Sequence, residues 1–494
     1  MSAPAGAAGP VVRLAGHPDD DRTLLGGKAW GIQRMRSLGV PVPPAFAVTT
    51  DVCARYKAEG AKLPQDVADL LGDAMAYLES ETGRTFGGGQ APLLVSVRSG
   101  AAISMPGMMD TILNLGESDE VQAALAAQTG DAAFAADTRR RFAEQFQDVV
   151  GSEAPEDPWE QLVAAIGAVF RSWDSRRAIA YRRERGLSDD AGTAVTVQAM
   201  VFGNLDDRSG TGVLFTRDPS TGAPEALGEW LPRGQGEDVV SGSHDPLALS
   251  ALAEQQPDVY RELMDIATRI EQDGRDAQDL EFTVEAGRLW LLQSRSAKRT
   301  PQAAVRIAVA LAREGLISES EALDRVSPEQ AAAALRPTID PRARSGATVL
   351  ATGKPACPGV ASGTIVTDTP EAEERADDED IVLARPTTDP EDVPAMFAVN
   401  AILTELGGAT SHAAVVSREI GVPCIVGCGE GTLMGLTGRT VTVDSEAGEV
   451  LEGALAIQAG VDSAGSDYGQ LTEWARAAAG TAHPESGAGE LADL

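Results

Sequence analysis

The side chain best suited to group-transfer chemistry is His412, inside the run Gly407–Gly429, which reads GGATSHAAVVSREIGVPCIVGCG. An imidazole is a competent nucleophile at neutral pH without help from a metal. Two glycines break the chain before it, and Thr410 or Ser411 is expected to cap a helix through its hydroxyl. Val415, Val416 and Ile420 then share an apolar face, and Gly421 with Pro423 ends the helix. His412 therefore belongs in the first helical turn, beside unpaired amides and the positive dipole end. Added phosphoryl charge would meet N–H donors there. A single histidine in a first turn is more often a cap or a surface residue, so spacing alone does not decide its role.

Three other groups have types and spacing that suit phosphate chemistry. Lys28 follows a glycine pair and opens a helical pattern in Leu24–Ser37, where its ammonium can face a phosphate, although most single lysines solvate a surface. The stretch Leu93–Gly116, LLVSVRSGAAISMPGMMDTILNLG, reads as a short buried strand that delivers Arg98 into a loop of small residues, with Ser104 and Gly107 inside it. Backbone amides of such a loop approach phosphate oxygens closely, and an arginine fork neutralises them. A turn with an ion-paired arginine is the plainer alternative. Gln278–Arg295 reads as two strands joined at Ala286-Gly287. Asp279 and Glu281 share one face of the first strand and can both reach a cation, while Gln293 and Arg295 share a face of the second. A structural ion-pair network would use the same four residues.

The Gly407–Gly429 run resembles the phosphohistidine motif of the phosphoenolpyruvate-utilising enzymes, and Leu93–Gly116 resembles the dikinase branch of that family rather than its synthase branch. The resemblance implies that His412 carries phosphate. Lys28, Arg98, Gln293 and Arg295 would bind ATP, Gln198 and Met200 in the strand-like Thr193–Asn204 would flank the adenine, and Glu281 with Asp279 would hold magnesium. SGTGVLFTRDP (Ser209–Pro219) and GEWLPRGQGEDVVSG (Gly228–Gly242) extend the likeness; the following Ser-His-Asp-Pro departs from the Arg-Thr-Pro of the pattern. The implied reaction is autophosphorylation of His412 by ATP and inorganic phosphate, with pyruvate as final acceptor and a monovalent cation as a further cofactor. Alternatives of other kinds are a phosphotransferase acting on an antibiotic or metabolite, and an inactive relative. The likeness runs from Leu24 to about Gly480 without the family's pyruvate-binding barrel, so a separate barrel protein is the expected partner, alongside a homo-oligomer.

The chain has 494 residues, enough for two or three domains, and a formal charge of −33 (41 basic, 74 acidic). That balance argues against nucleic acid, which needs clustered Lys and Arg. No run of 18 apolar residues exists, which argues against a membrane span. The first residues lack the basic and apolar regions of a secretion signal, and Cys53, Cys357, Cys424 and Cys428 read as free thiols of a reducing, cytoplasmic protein. The spacing of Cys424 and Cys428 suits buried thiols, because no second pair completes a metal site.

The expected fold class is α/β and α+β, in several domains. Residues 1–300 form an ATP-grasp nucleotide domain and 301–345 a helical linker. Residues 346–455 form a swivelling phosphohistidine α/β domain, and 456–494 a connector helix with a disordered acidic tail. Residues 117–190 are expected to be mostly helical, shorter than the family pattern, with a basic patch at Trp173–Arg183 on the exterior. Asp389, Glu391 and Asp392 read as a solvated helix start, and the segment around Pro337–Pro341 as a hinge.

Overall fold

The structure, a computed structural model, describes residues 9–17, 21–101, 105, 111–184, 186–240, 245–334, 338–458 and 467–479. The chain divides into two compact units, Met1–Gly210 with Glu281–Arg295, and Thr211–Leu280 with Ser296–Leu494. The division is not linear: residues 211–280, expected within the nucleotide segment, cluster with the second half of the chain.

The first unit is built on an antiparallel sheet of five strands in the order Val11–Arg13, Ala45–Val48, Ala194–Ala199, Val95–Gly100, Thr111–Leu115. The central strand Ala194–Ala199 is buried at every position, so both of its faces are covered, including the one that carries Thr196 and Gln198. Val95 and Val97 pack with Leu71, Met75 and Leu78 of helix Gln65–Thr82 and with Leu162, Ile166 and Phe170 of helix Pro158–Ser172. Four helices fill most of 119–184, as expected. The basic patch is only partly exterior: Arg182 is buried, lies 4.2 Å from the Trp173 ring and donates to Trp173 O at 2.6 Å.

Helix Arg22–Ser37 starts from Asp21, whose carboxylate accepts from Thr23 N, and kinks at Gly26. Gly26 has φ +74°, and a Cβ there would sit 1.8 Å from Gly100 O, so only glycine permits this approach. Gly27 N donates to Ala101 O at 2.9 Å, which fixes the turn carrying Lys28 against the end of the Arg98 strand. Strands Gln278–Glu285 and Arg288–Ser296 form the expected hairpin, and Ala286 and Gly287 both have positive φ, as a two-residue turn of this type requires.

In the second unit, residues 349–452 form an eight-stranded mixed sheet. Its parallel core is Val360–Val366, Ile381–Arg385, Ala401–Thr404 and Cys424–Val426. Helix His412–Ile420 is the crossover between the last two of these strands, and it ends at Gly421 with φ +75°. The strand before the domain, Thr338–Ile339, pairs with the strand after it, Ile457–Gln458. Pro337 lies outside the described residues, and Pro341 begins a short helix.

The stretch expected to be a linker forms a core of its own. Helix Pro301–Arg313 buries Val305, Ile307, Val309 and Leu311 against Val213, Phe215, Leu323 and the terminal helix Asp467–Ala479, through Tyr468, Leu471 and Ala475. Arg217 joins the same unit by pairing with Glu271 at 2.8 Å and Glu314 at 2.6 Å. All four cysteines are free and buried. Burial pushes the Cys424 and Cys428 thiols up to about 12, which makes them poor nucleophiles.

Candidate active site

In the first unit, five of the residues expected to bind phosphate or metal converge. Arg98 Nη2 lies 3.2 Å from both Glu281 Oε2 and Gln293 Oε1, and Gln293 Nε2 donates to Glu281 Oε1 at 2.8 Å. Burial works to raise the Glu281 pKa, but Arg98, Arg295 and Lys28 overcome it and hold the carboxyl below its usual range. Lys28 shows the converse: burial, then the Arg98 and Arg295 cations, bring its ammonium down to about 7, with Glu281 opposing. Three cations gathered around one carboxylate leave an excess of positive charge that suits a polyphosphate.

Asp279, two residues before Glu281, is buried. Among the described residues no group of three or more His, Cys, Asp or Glu side chains is placed to hold a metal by itself. The donors that are present, Glu281 carboxylate and Gln293 amide oxygen, are hard oxygen ligands. Magnesium characteristically takes one or two such ligands and completes its shell with phosphate and water, so this set fits it.

The remaining nucleotide residues stand differently. Gln198 is buried and its amide donates to Pro43 O at 3.2 Å. Met200 packs in an apolar cluster with Leu94, Phe134 and Phe202. Both are engaged within the fold. Ser104 and Gly107 lie outside the described residues.

In the second unit, His412 is the first residue of its helix, which places it at the carboxyl end of strand Ala401–Thr404. Thr388 follows the carboxyl end of the neighbouring parallel strand Ile381–Arg385. Strand order thereby brings two residues 24 apart in sequence together, and Thr388 Oγ1 lies 3.1 Å from His412 Nδ1. His412 Nε2 is buried with no hydrogen-bond partner. Burial lowers the imidazole pKa while Asp389 and Asp392 work to raise it, so the ring is neutral at pH 7. A neutral ring with one nitrogen held and the other unengaged is arranged as a nucleophile.

Several local expectations are corrected here. Ser411 is the N-cap residue, yet its hydroxyl makes no capping bond. Thr410 Oγ1 turns away to donate to Glu229 Oε2 at 2.5 Å, and Ala409 N donates to Glu229 Oε1 at 2.9 Å. Gly408 lies so close that a Cβ would meet Glu229 Oε1 at 2.1 Å. Asp392 is buried, not solvated: it accepts from Thr369 Oγ1 at 2.6 Å and closes a reciprocal cap with Asp389. No local pattern marks Glu405, whose buried carboxylate accepts the amides of Gly431, Leu433 and Met434 and anchors the chain leaving strand Ala401–Thr404.

Comparison with known proteins adds an independent line. Residues 58–257 match the family described as pyruvate phosphate dikinase, AMP/ATP-binding domain, and residues 377–448 match PEP-utilising enzyme, mobile domain. The chain is similar to pyruvate, phosphate dikinases. It is 40% identical to those of Clostridium symbiosum, over 92% of this chain and 59% of the relative, and Rhizobium meliloti (strain 1021), over 93% and 59%. The chloroplastic enzyme 1 of Arabidopsis thaliana is also 40% identical, over 88% of this chain and 51% of its own length. The chain thus spans between about half and three-fifths of the length of these curated relatives. The histidine helix falls inside the mobile-domain match, and Arg98 and Thr388 each fall inside one of the two matches. Among the described residues no helix is long and apolar enough to cross a membrane.

Proposed function

We propose that this chain is the phosphorylating part of a pyruvate, phosphate dikinase, and that His412 is its phosphoryl carrier. The observation that carries this reading is the state of the imidazole: Nδ1 engaged by Thr388, Nε2 buried without a partner, and the ring neutral at the amino end of a helix.

In this mechanism Nε2 attacks the β-phosphorus of ATP. The N–P bond forms as the bond from that phosphorus to the bridging oxygen of AMP breaks, and AMP leaves with the electron pair. Inorganic phosphate then takes the terminal phosphoryl group as pyrophosphate, which leaves a phosphohistidine. Lys28, Arg98 and Arg295 spread the charge that accumulates on the phosphoryl oxygens. Glu281, with Asp279 or Gln293, would hold magnesium, which when bound would supply charge that neutralises those oxygens. Gln198 and Met200 are assigned to the base side of the nucleotide, and Ser104 and Gly107 to its phosphates.

The acceptor in this reading is pyruvate. His412 must meet the nucleotide and later leave it, and the paired strands Thr338–Ile339 and Ile457–Gln458 are the candidate pivot, since both connections of the mobile domain run through them.

The test is incubation with ATP labelled at the β position. Label should enter a base-stable, acid-labile linkage that His412→Asn abolishes, and γ-label should appear in pyrophosphate only when phosphate is supplied. Incorporation of γ-label alone after full turnover with phosphate would overturn the dikinase route.

A further inference from the structure

Helix His412–Ile420 has an N-cap serine that does not cap, and Ser411 and His412 line the same small pocket. Ser411 is only 6% exposed, and its Oγ has no hydrogen-bond partner. An N-cap serine ordinarily accepts from an amide of the first turn and stabilises the helix by doing so. Here the first helical amide with a partner is Val415 N, which donates to the backbone oxygen of Ser411. A buried hydroxyl without a partner is costly, and a fold that keeps one invites an explanation from function.

The surroundings supply that explanation. Thr387, Thr388, Thr404, Leu406, Ser411, His412 and Ala413 enclose a void of about 10 Å³. That is the space of a single water-sized sphere, enough for one oxygen atom. Two other hydroxyls on the wall are committed: Thr388 to His412 Nδ1, and Thr404 to Leu406 O at 2.7 Å. Ser411 Oγ and His412 Nε2 are the buried polar side-chain atoms of the wall left without partners.

We infer that Ser411 is a catalytic donor whose hydroxyl hydrogen-bonds one oxygen of the phosphoryl group carried on His412 Nε2. This rests on the carrier role proposed above and assigns the phosphoryl group a side-chain donor from the same pocket. The void would receive that oxygen, and the unpaired amides of the first turn would complete its surroundings. The hydroxyl forms its bond only when charge has arrived, so it favours the phosphorylated state over the free imidazole.

The experiment compares wild type, Ser411→Ala and Ser411→Thr by rapid-quench labelling from ATP labelled at the β position, and by the decay of the isolated phosphohistidine. Ser411→Ala should label about 100-fold more slowly and lose its phosphate several-fold faster, with the dissociation constant for ATP unchanged, since removing one transition-state donor costs on the order of 100-fold or more. Ser411→Thr, which keeps the hydroxyl, should recover most of both rates. The phosphorus resonance of the phosphohistidine should shift in the alanine variant and return in the threonine variant, which a purely structural serine would not produce. Should Ser411→Ala fail to fold, Ser411→Gly removes the hydroxyl at a position where helices tolerate glycine. Equal labelling and decay rates in a folded hydroxyl-free variant would overturn the assignment while leaving His412 as carrier. A wild-type protein that takes no label on His412 would remove the carrier role and this inference with it.

Discussion

Thr388 Oγ1 sits 3.1 Å from His412 Nδ1, and when Nδ1–H donates to that hydroxyl the ring's lone pair lies on Nε2. Thr388→Val keeps the shape and removes the hydroxyl, so it tests the contact directly. Losing a hydrogen bond of about 1 kcal/mol should slow phosphohistidine formation roughly 5-fold. ATP affinity should not change, and nitrogen NMR of His412 should show a mixture of tautomers. An unaltered tautomer and rate would show that Thr388 does not orient the ring.

The same imidazole carries a pH signature. In the proposed reaction its neutral form is the nucleophile, and burial lowers its pKa from 6.5. The rate of phosphohistidine formation should therefore stay level from pH 8 down to about 6.5 and fall only at lower pH. Asp392→Asn removes one of the two carboxylates that work to raise this pKa, so its acid limb should move further down. A wild-type limb centred above pH 7 would contradict the burial assigned to the ring.

How much of this was legible in the sequence follows from how local each signal is. The histidine helix and the hairpin at Ala286-Gly287 are written in glycines at their stops and in the period of their apolar residues, and both were placed correctly. Glu281 and Gln293 could be placed because each lies on a strand whose side-chain direction follows from alternation, whereas Arg98, expected in the loop after its strand, lies inside strand Val95–Gly100. Thr388, Glu229 and Glu405 could not, since their roles depend on which strands lie side by side and at which ends their loops emerge. The hydroxyls of Thr410 and Ser411 misled for a related reason: a capping rule describes an isolated helix, whereas Glu229 competes for Thr410 across 181 residues of sequence.

Lys28 makes nucleotide binding draw protons from solution. With its pKa brought to about 7, the ammonium is about half protonated at pH 7 before ligand arrives. Phosphate charge favours the protonated form, so ATP binding should take up about half a proton per site at that pH and almost none at pH 5.5. Calorimetry in two buffers of different ionisation enthalpy measures the uptake. Lys28→Met should abolish it and weaken binding, whereas identical heats in both buffers with the wild type would refute it.

Glu117 sets a second pH dependence, this one on stability. Burial pushes its carboxyl up to about 8, against the opposing pull of Arg139 and the Ser118 amide, and neither carboxyl oxygen has a hydrogen-bond partner. Between pH 4.5 and 8 the folded protein then holds one more proton than the unfolded chain, so this group makes stability fall as pH rises through that window and level off above it. Glu117→Gln removes the titration. Its stability relative to wild type should grow by a few kcal/mol from pH 5 to pH 8, at 1.36 kcal/mol per unit of pKa. Parallel urea midpoints for the two proteins across that range would show that Glu117 is not buried as described.

The terminal helix Asp467–Ala479 provides the last test, because two uses of it are separable. A connector held ready for a partner would leave its apolar face open, and truncating that face would cost the isolated chain little. In the structure Leu471 is 2% exposed and packs with Tyr468 and Ala475 into the core formed by Pro301–Arg313, while Arg313 pairs with Asp467 at 2.7 Å. Leu471→Ala should then cost about 2–5 kcal/mol, the range for a buried leucine that leaves a cavity. Arg476→Ala, on the exposed side of the same helix, should stay within about 0.5 kcal/mol of wild type. Thermal and urea unfolding of the chain alone make the comparison. Equal, near-zero effects of both substitutions would mean that the helix is not part of the core and would return it to the role of a free connector.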